Sequence, residues 1–296
     1  MKNSAIIITL AAVILPAVLN GKTVRRTMSI IQSSVPETTE LGVENMEFVY
    51  DYSYCVDTTG ALSENITSDR MLLQISSTGL SKFSSHKNLT VDSILPYLST
   101  DQRAAAAMEG KLSNGEFMTI YKNYPEGKLT HTEKICTDWF KYEEGMPQFD
   151  WELTDSTVNV LGYDCHEAKC TFRGRDWTVY YTEEIPVMEG PWKFHGLPGL
   201  IMKATDKNDE YTFECVGINS KGVRPITIYN VPFNVTSRPK YYDTKHRYEC
   251  NPYAYAEETA GIHVTVSDEA GNPVLDSYDP IDLQFDYIET DWKDKK

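Results

Sequence analysis

Basic residues are scarce in this chain of 296 residues: 28 Lys and Arg stand against 43 Asp and Glu, for a formal charge of −15. That balance argues against a nucleic-acid partner, which calls for a clustered basic surface to displace counterions from phosphate. The short motifs of catalysis are missing as well, since no Walker lysine loop, His-Glu-x-x-His or Gly-x-Ser-x-Gly occurs. Without Cys-x-x-Cys or a spaced Cys/His quartet there is no zinc-site pattern, and no cofactor is expected. Beyond the N-terminus no apolar run approaches the ~20 residues that span a bilayer. Internal repeats and long low-complexity tracts are also absent.

What is abundant is tyrosine, with 19 copies against 10 Phe and 5 Trp. Aromatic and β-branched residues favour strands, and tyrosine suits half-wet positions where the ring packs and the hydroxyl finds a partner. Lys2 followed by an apolar run from Ala5 to Leu19 and polar Asn20 to Lys22 reads as a secretory signal over residues 1–21. Export would permit disulfides among Cys55, Cys136, Cys165, Cys170, Cys215 and Cys250. Cys165 and Cys170 are expected to face opposite sides of one strand and so to take different partners.

Residues 22–45 are polar and read as a flexible lead-in to a single β-rich domain over 46–290. Met46 to Cys55 alternates apolar and polar residues, the mark of a half-buried strand. Further strands are expected at 70–76, near Phe83, and over 116–123, 128–135, 157–162, 163–172, 177–182, 200–205 and 210–217. Tight turns separate several of them, with Arg173 to Asp176 and Asp206 to Asp209 as hairpin signals. One clear helix is expected over Thr100–Glu109, where Ser99 and Gln102 form a capping box; Ser93 to Leu98 adds a separate turn. Pro225 to Tyr255 reads as loop. The fold class is mainly β with one or two short helices, an antiparallel sheet that is curved or an open half-barrel.

Residues 190–201 form the densest unusual stretch, ending in Gly-Leu-Pro-Gly-Leu-Ile at Gly196, Leu197, Pro198, Gly199, Leu200 and Ile201. Pro198 and Gly199 fit the centre of a type II turn, with Gly199 taking positive φ before a buried strand. Trp192 and Phe194 alternate with Lys193, so both rings are expected on one side. A phosphate loop is excluded, because a strand rather than a helix follows.

The hexapeptide resembles the signature of the GLPGLI family of Bacteroidetes proteins. Leu161 to Cys165, Phe172 to Trp177, Thr178 to Tyr181, Ile185-Pro186 and Gly190-Pro191 support the resemblance, as does Asp279 to Leu283 near the end. It is densest over residues 158–217. It implies export from a Gram-negative cell and a β-rich fold broadly similar to the open half-barrels that carry lipoproteins, and it supplies no reaction. In that setting the Asn-x-Thr sites at Asn65, Asn88 and Asn234 read as chance.

Three functions follow as expectations. The first is a periplasmic or outer-membrane-associated module, more a binder than an enzyme, linked to outer-membrane systems. It would bind an apolar ligand or an envelope protein through Trp177, Tyr181, Trp192, Phe194, Arg173 and Arg175. The second is an envelope hydrolase, which requires at least three polar side chains converging in one cleft. The third is metal handling through Cys165, His166 and His195.

Overall fold

The computed structural model describes residues 35–55, 66–109, 111–112, 114–219, 224–261 and 286–292. The signal segment, the Asp279 to Leu283 tail and Asn65 lie outside them.

Thirteen strands form one sheet. In chain order they are β1 (Thr38–Cys55), β2 (Ile66–Ser76), β3 (Ser81–Ser85), β4 (Thr119–Lys122), β5 (Lys128–Ile135), β6 (Asp138–Gly145), β7 (Glu152–Val160), β8 (Tyr163–Phe172), β9 (Arg175–Thr182), β10 (Leu200–Asp206), β11 (Tyr211–Asn219), β12 (Pro225–Tyr229) and β13 (Phe233–Val235). Across the sheet the order is β13-β6-β5-β4-β3-β2-β1-β11-β10-β9-β8-β7, with β12 beside the first half of β1. Every pairing is antiparallel except β13 with β6. The sheet ends at β7 and β13, so it is open and not a closed barrel.

β1 lies at the centre because its alternation suits it. Phe48, Tyr50, Tyr52 and Tyr54 all point into the core. They meet Leu73 and Met71 of β2 on one side and Phe213 and Tyr211 of β11 on the other. The strand is longer than the alternation suggests: Thr38 to Val43, expected as lead-in, pair with β12.

Four helices accompany the sheet: α1 (His86–Ile94), α2 (Thr100–Met108), α3 (Arg238–Cys250) and α4 (Pro252–Ala260). The capping box of α2 forms as expected, with Gln102 N–H donating to Ser99 Oγ and Ser99 N–H to Gln102 Oε1. A 3-10 turn at Leu95–Tyr97 follows α1. The stretch expected as loop contains α3 and α4. Pro239 and Pro252 sit in first helical turns, where a missing N–H costs nothing, and Asn251 caps α4 by accepting from Ala254 N–H. Among the described residues no helix is long and apolar enough to cross a membrane.

The expected disulfides are not present among the described residues. Cys165, Cys170 and Cys215 are buried thiols. Burial along β8 runs in, out, in, in, out, in from Cys165 to Cys170, so one step of the alternation is lost. Both thiols therefore finish in the same core rather than on opposite faces.

Candidate functional site

The signature corner is a packing device. Gly199 does not adopt the positive φ of a type II turn, and Gly196 takes it instead, at +92°. Gly199 is required for another reason: a Cβ there would lie 2.0 Å from the carbonyl oxygen of Thr182. Gly190 is similarly confined, its missing Cβ falling 2.8 Å from Ile201 Cβ. Beneath the corner the fully buried Lys122 of β4 donates to the carbonyls of Gly190 (2.7 Å) and Phe194 (2.9 Å) and pairs with Glu189 at 2.5 Å. Leu200 and Ile201 then enter β10 fully buried, as expected.

The four candidate rings lie inside the core. Trp177, Tyr181, Trp192 and Phe194 are each at most 4% exposed. Trp177 and Phe194 meet edge to face at 4.9 Å, and Trp192 and Phe194 at 5.2 Å. Their burial satisfies the apolar face of β8 to β10, and none of the four rings is presented to solvent.

The two arginines are likewise engaged internally. In the β8–β9 hairpin, Arg173 (φ +55°) and Gly174 (φ +82°) form the expected turn. Arg173 bonds Glu144 and lies 3.5 Å from Glu289. Arg175 is buried and clamps Asp206 at 2.7 Å, Glu210 at 2.6 Å and Asp286 at 2.5 Å. Lys193, expected to face away from its flanking rings, is fully buried and pairs with Glu144 (2.5 Å) and Glu289 (2.6 Å). Burial raises the Glu289 carboxyl, but the charges of Lys193, Arg173 and Arg238 outweigh that and hold it near 2.

Cys165, His166 and His195 do not assemble a metal site. Among the described residues no group of three or more His, Cys, Asp or Glu is placed to hold an ion. His166 is exposed on β8, whereas burial and then the Lys122 charge lower His195 to about 4. Burial pushes the Cys165 thiol up to about 11, which works against a thiolate ligand.

Polar convergence occurs elsewhere, in a narrow cleft of about 50 Å³ between the core face of the sheet, α3 and residues 286–288. Three tyrosine hydroxyls donate to three glutamates around it: Tyr54 to Glu116, Tyr241 to Glu133, and Tyr287 to Glu249 at 2.7 Å. His131 and Glu133 share a face of β5 because strands repeat every two residues. His131 Nε2 lies 3.3 Å from Glu133, and Lys245 of α3 donates to the same carboxylate at 2.8 Å.

His131 is 2% exposed and stacked on Tyr142 at 4.6 Å, and its Nδ1 has no hydrogen-bond partner. Burial lowers its pKa, so the neutral ring with its proton on Nε2 leaves Nδ1 as an acceptor. Burial raises Glu133, but Lys245 and the histidine more than offset it, so this carboxylate stays ionised. None of these residues stood out in the sequence. The readable signal was Tyr241, Lys245 and Glu249, four apart along one helical face.

Comparison with known proteins adds a local likeness. No curated protein matches. Two crystal forms of a protein titled PNGF-II are similar in structure. The P21 form gives a TM-score of 0.44 at 14% identity, covering 68% of this chain and 32% of that one. The C2 form gives 0.42 at 15% identity, covering 67% and 32%. The chain thus spans about a third of the length of those proteins. Residues 173–203, from the β8–β9 hairpin through the signature corner into β10, match the model of a family described as a protein of unknown function (Porph_ging).

Proposed function

We propose that this protein is an exported binding module of the cell envelope, of the GLPGLI type, whose ligand sits in the tyrosine–glutamate cleft. The ligand class that fits is a small cation rich in hydrogen-bond donors, such as an alkylamine or a guanidinium. Glu116, Glu133, Glu249 and Asp286 outnumber Lys245 around the cleft, and Arg175 is occupied with three carboxylates. Tyrosine faces among the lining residues suit a cation as well. The envelope setting draws on Lys2, the apolar run to Leu19 and the signature corner.

One observation carries the reading: His131 Nδ1 is a buried acceptor with no partner among the described residues. Leaving such a group unmatched costs about 1–3 kcal/mol, which a ligand N–H would recover. The test is calorimetric titration of the full chain with spermidine, arginine and methylguanidine. Saturable binding of at least one is expected, about tenfold weaker in His131→Phe and in Glu133→Gln. Absence of heat with all three, or unchanged affinity in both variants, would refute it.

The same pair gives the hydrolase reading its one specific support, since a carboxylate that orients a neutral imidazole is the arrangement of a general base. Turnover of p-nitrophenyl esters that disappears in His131→Asn is the result that reading requires.

A further inference from the structure

Among the described residues three lysines are buried, and they are not treated alike. Lys122 is matched by Glu189, and Lys193 by Glu144 and Glu289. Lys82 of β3 donates to the backbone carbonyl of Thr227 at 2.9 Å and lies 5.7 Å from the ring centre of Tyr121; it feels the charge of Asp92, but no carboxylate is within ion-pair distance of it among the described residues. An ammonium withdrawn from water without a counterion in contact is costly, and burial lowers its pKa to about 8 against the opposing pull of the Asp92 charge.

Lys82 borders a small pocket of about 20 Å³, open to solvent, on the face of the sheet opposite the tyrosine–glutamate cleft. Ser84, two residues on and on the same face, also lines it. Ser84 is 5% exposed and its hydroxyl has no partner. Ser85 at the N-cap of α1 and Asn88 in its first turn complete one wall, so the positive end of the helix dipole faces the same space. A second ammonium, Lys134, lies 5.9 Å and 6.0 Å from the ring centres of Phe117 and Trp139, both of which line the pocket.

The one carboxylate here is Asp92. Burial raises its pKa, and it accepts the hydroxyl of Tyr229. Two ammonium groups, a helix N-terminus and an unmatched hydroxyl therefore surround one carboxyl group that is already engaged.

We infer that this pocket binds a small oxyanion, phosphate or carboxylate, held between the Lys82 ammonium and the Ser84 hydroxyl. The anion supplies Lys82 with a counterion in direct contact, which the more distant Asp92 does not, and Ser84 with the partner it lacks. This site is independent of the cleft and differs from it in sign: one accepts donors, the other presents them.

Trp139 lines the pocket and reports on it by fluorescence. The full chain is titrated with sodium phosphate and, separately, sodium acetate, with sodium chloride holding ionic strength constant. A saturable change with at least one anion is expected, and which anion produces it distinguishes phosphate from carboxylate. Lys82→Met should abolish the change, Ser84→Ala should weaken binding about five- to tenfold, and Trp139→Phe should silence the signal. A response that is absent, unsaturable, or unchanged in Ser84→Ala overturns the inference, even where Lys82→Met does not fold. His131→Phe should leave the anion response intact, so failure of the amine site and failure of this one are separable.

Discussion

Around Trp192 and Phe194 aromatic rings meet other rings, and their neighbours include Cys170, Leu197 and Val179. Around Tyr142, Tyr241 and Tyr242 the rings are just as buried, yet their surroundings are charged: Glu133, Glu289, Lys193 and Arg238 lie among them. The first region is dry and gains from area removed from water. The second gives up part of that gain to hold matched charges, and buried ion pairs contribute little net stability over an apolar replacement. The rings of the signature corner belong to the dry region, with the single Lys122–Glu189 pair beneath them, and the polar cleft opens off the charged one. A conserved-looking motif and a chemically equipped site therefore need not coincide.

The contrast can be tested by substitution, measured by denaturant unfolding with circular dichroism. Phe194→Ala opens a cavity in the dry region and should cost about 3–5 kcal/mol. That deficit should vary less with pH than the next one, since the Phe194 ring itself meets other rings, among them Trp177 and Trp192. Glu289→Gln should cost about 3 kcal/mol at neutral pH by leaving Lys193 and Arg238 partly uncompensated.

This second deficit should depend on pH. The Glu289 carboxyl is held near 2 in the folded protein against an ordinary value of 4.5. Its contribution is therefore complete above about pH 4.5 and lost as pH falls toward 2. Asp286, raised by burial against the pull of Arg175, titrates with the opposite sign, so the difference between parent and variant is the quantity to follow. If Phe194→Ala shows the same pH dependence, the division into dry and charged regions fails.

Gly199→Ala comes next, at about 1–3 kcal/mol, because the obstructing atom is backbone and cannot rotate away. Tyr241→Phe should have the smallest effect, about 1–2 kcal/mol, by removing one hydroxyl from Glu133 while keeping the ring packed. An effect of Tyr241→Phe as large as that of Phe194→Ala would show the charged region to be the more brittle of the two.

Much of the sheet was legible from the sequence because alternation is a local signal. Lys128–Ile135 and Tyr163–Phe172 coincide with the expected strands, and the hairpin at Arg173-Gly174 forms where its turn chemistry placed it. β6 was missed, although Tyr142 and Glu144 make it central to the buried charges, because Trp139, Phe140 and Tyr142 do not alternate cleanly. α3 and α4 were missed because Pro239 and Pro252 punctuate the segment, and a proline that opens a helix looks like one that breaks a chain. The cleft was invisible for a different reason. Its walls come from β1, β5, β11, α3 and residues 286–288, and no periodicity connects segments so far apart. The burial of Lys193 was not legible either, because its partners Glu144 and Glu289 lie far from it in sequence.

The central position of β1 also bears on how the chain reaches this state. One edge of β1 finds β2 within the same stretch of sequence, but the other must wait for β11, pairing Tyr54 with Tyr211. Until then a strand bearing Phe48, Tyr50, Tyr52 and Tyr54 has an open edge and an unfilled face. Closing so long an intervening chain is entropically slow, and sheets rich in distant pairings fold slowly for that reason. The sheet is therefore completed from the middle by its later strands, and a chain released before residue 211 would expose its most aromatic strand to any neighbour.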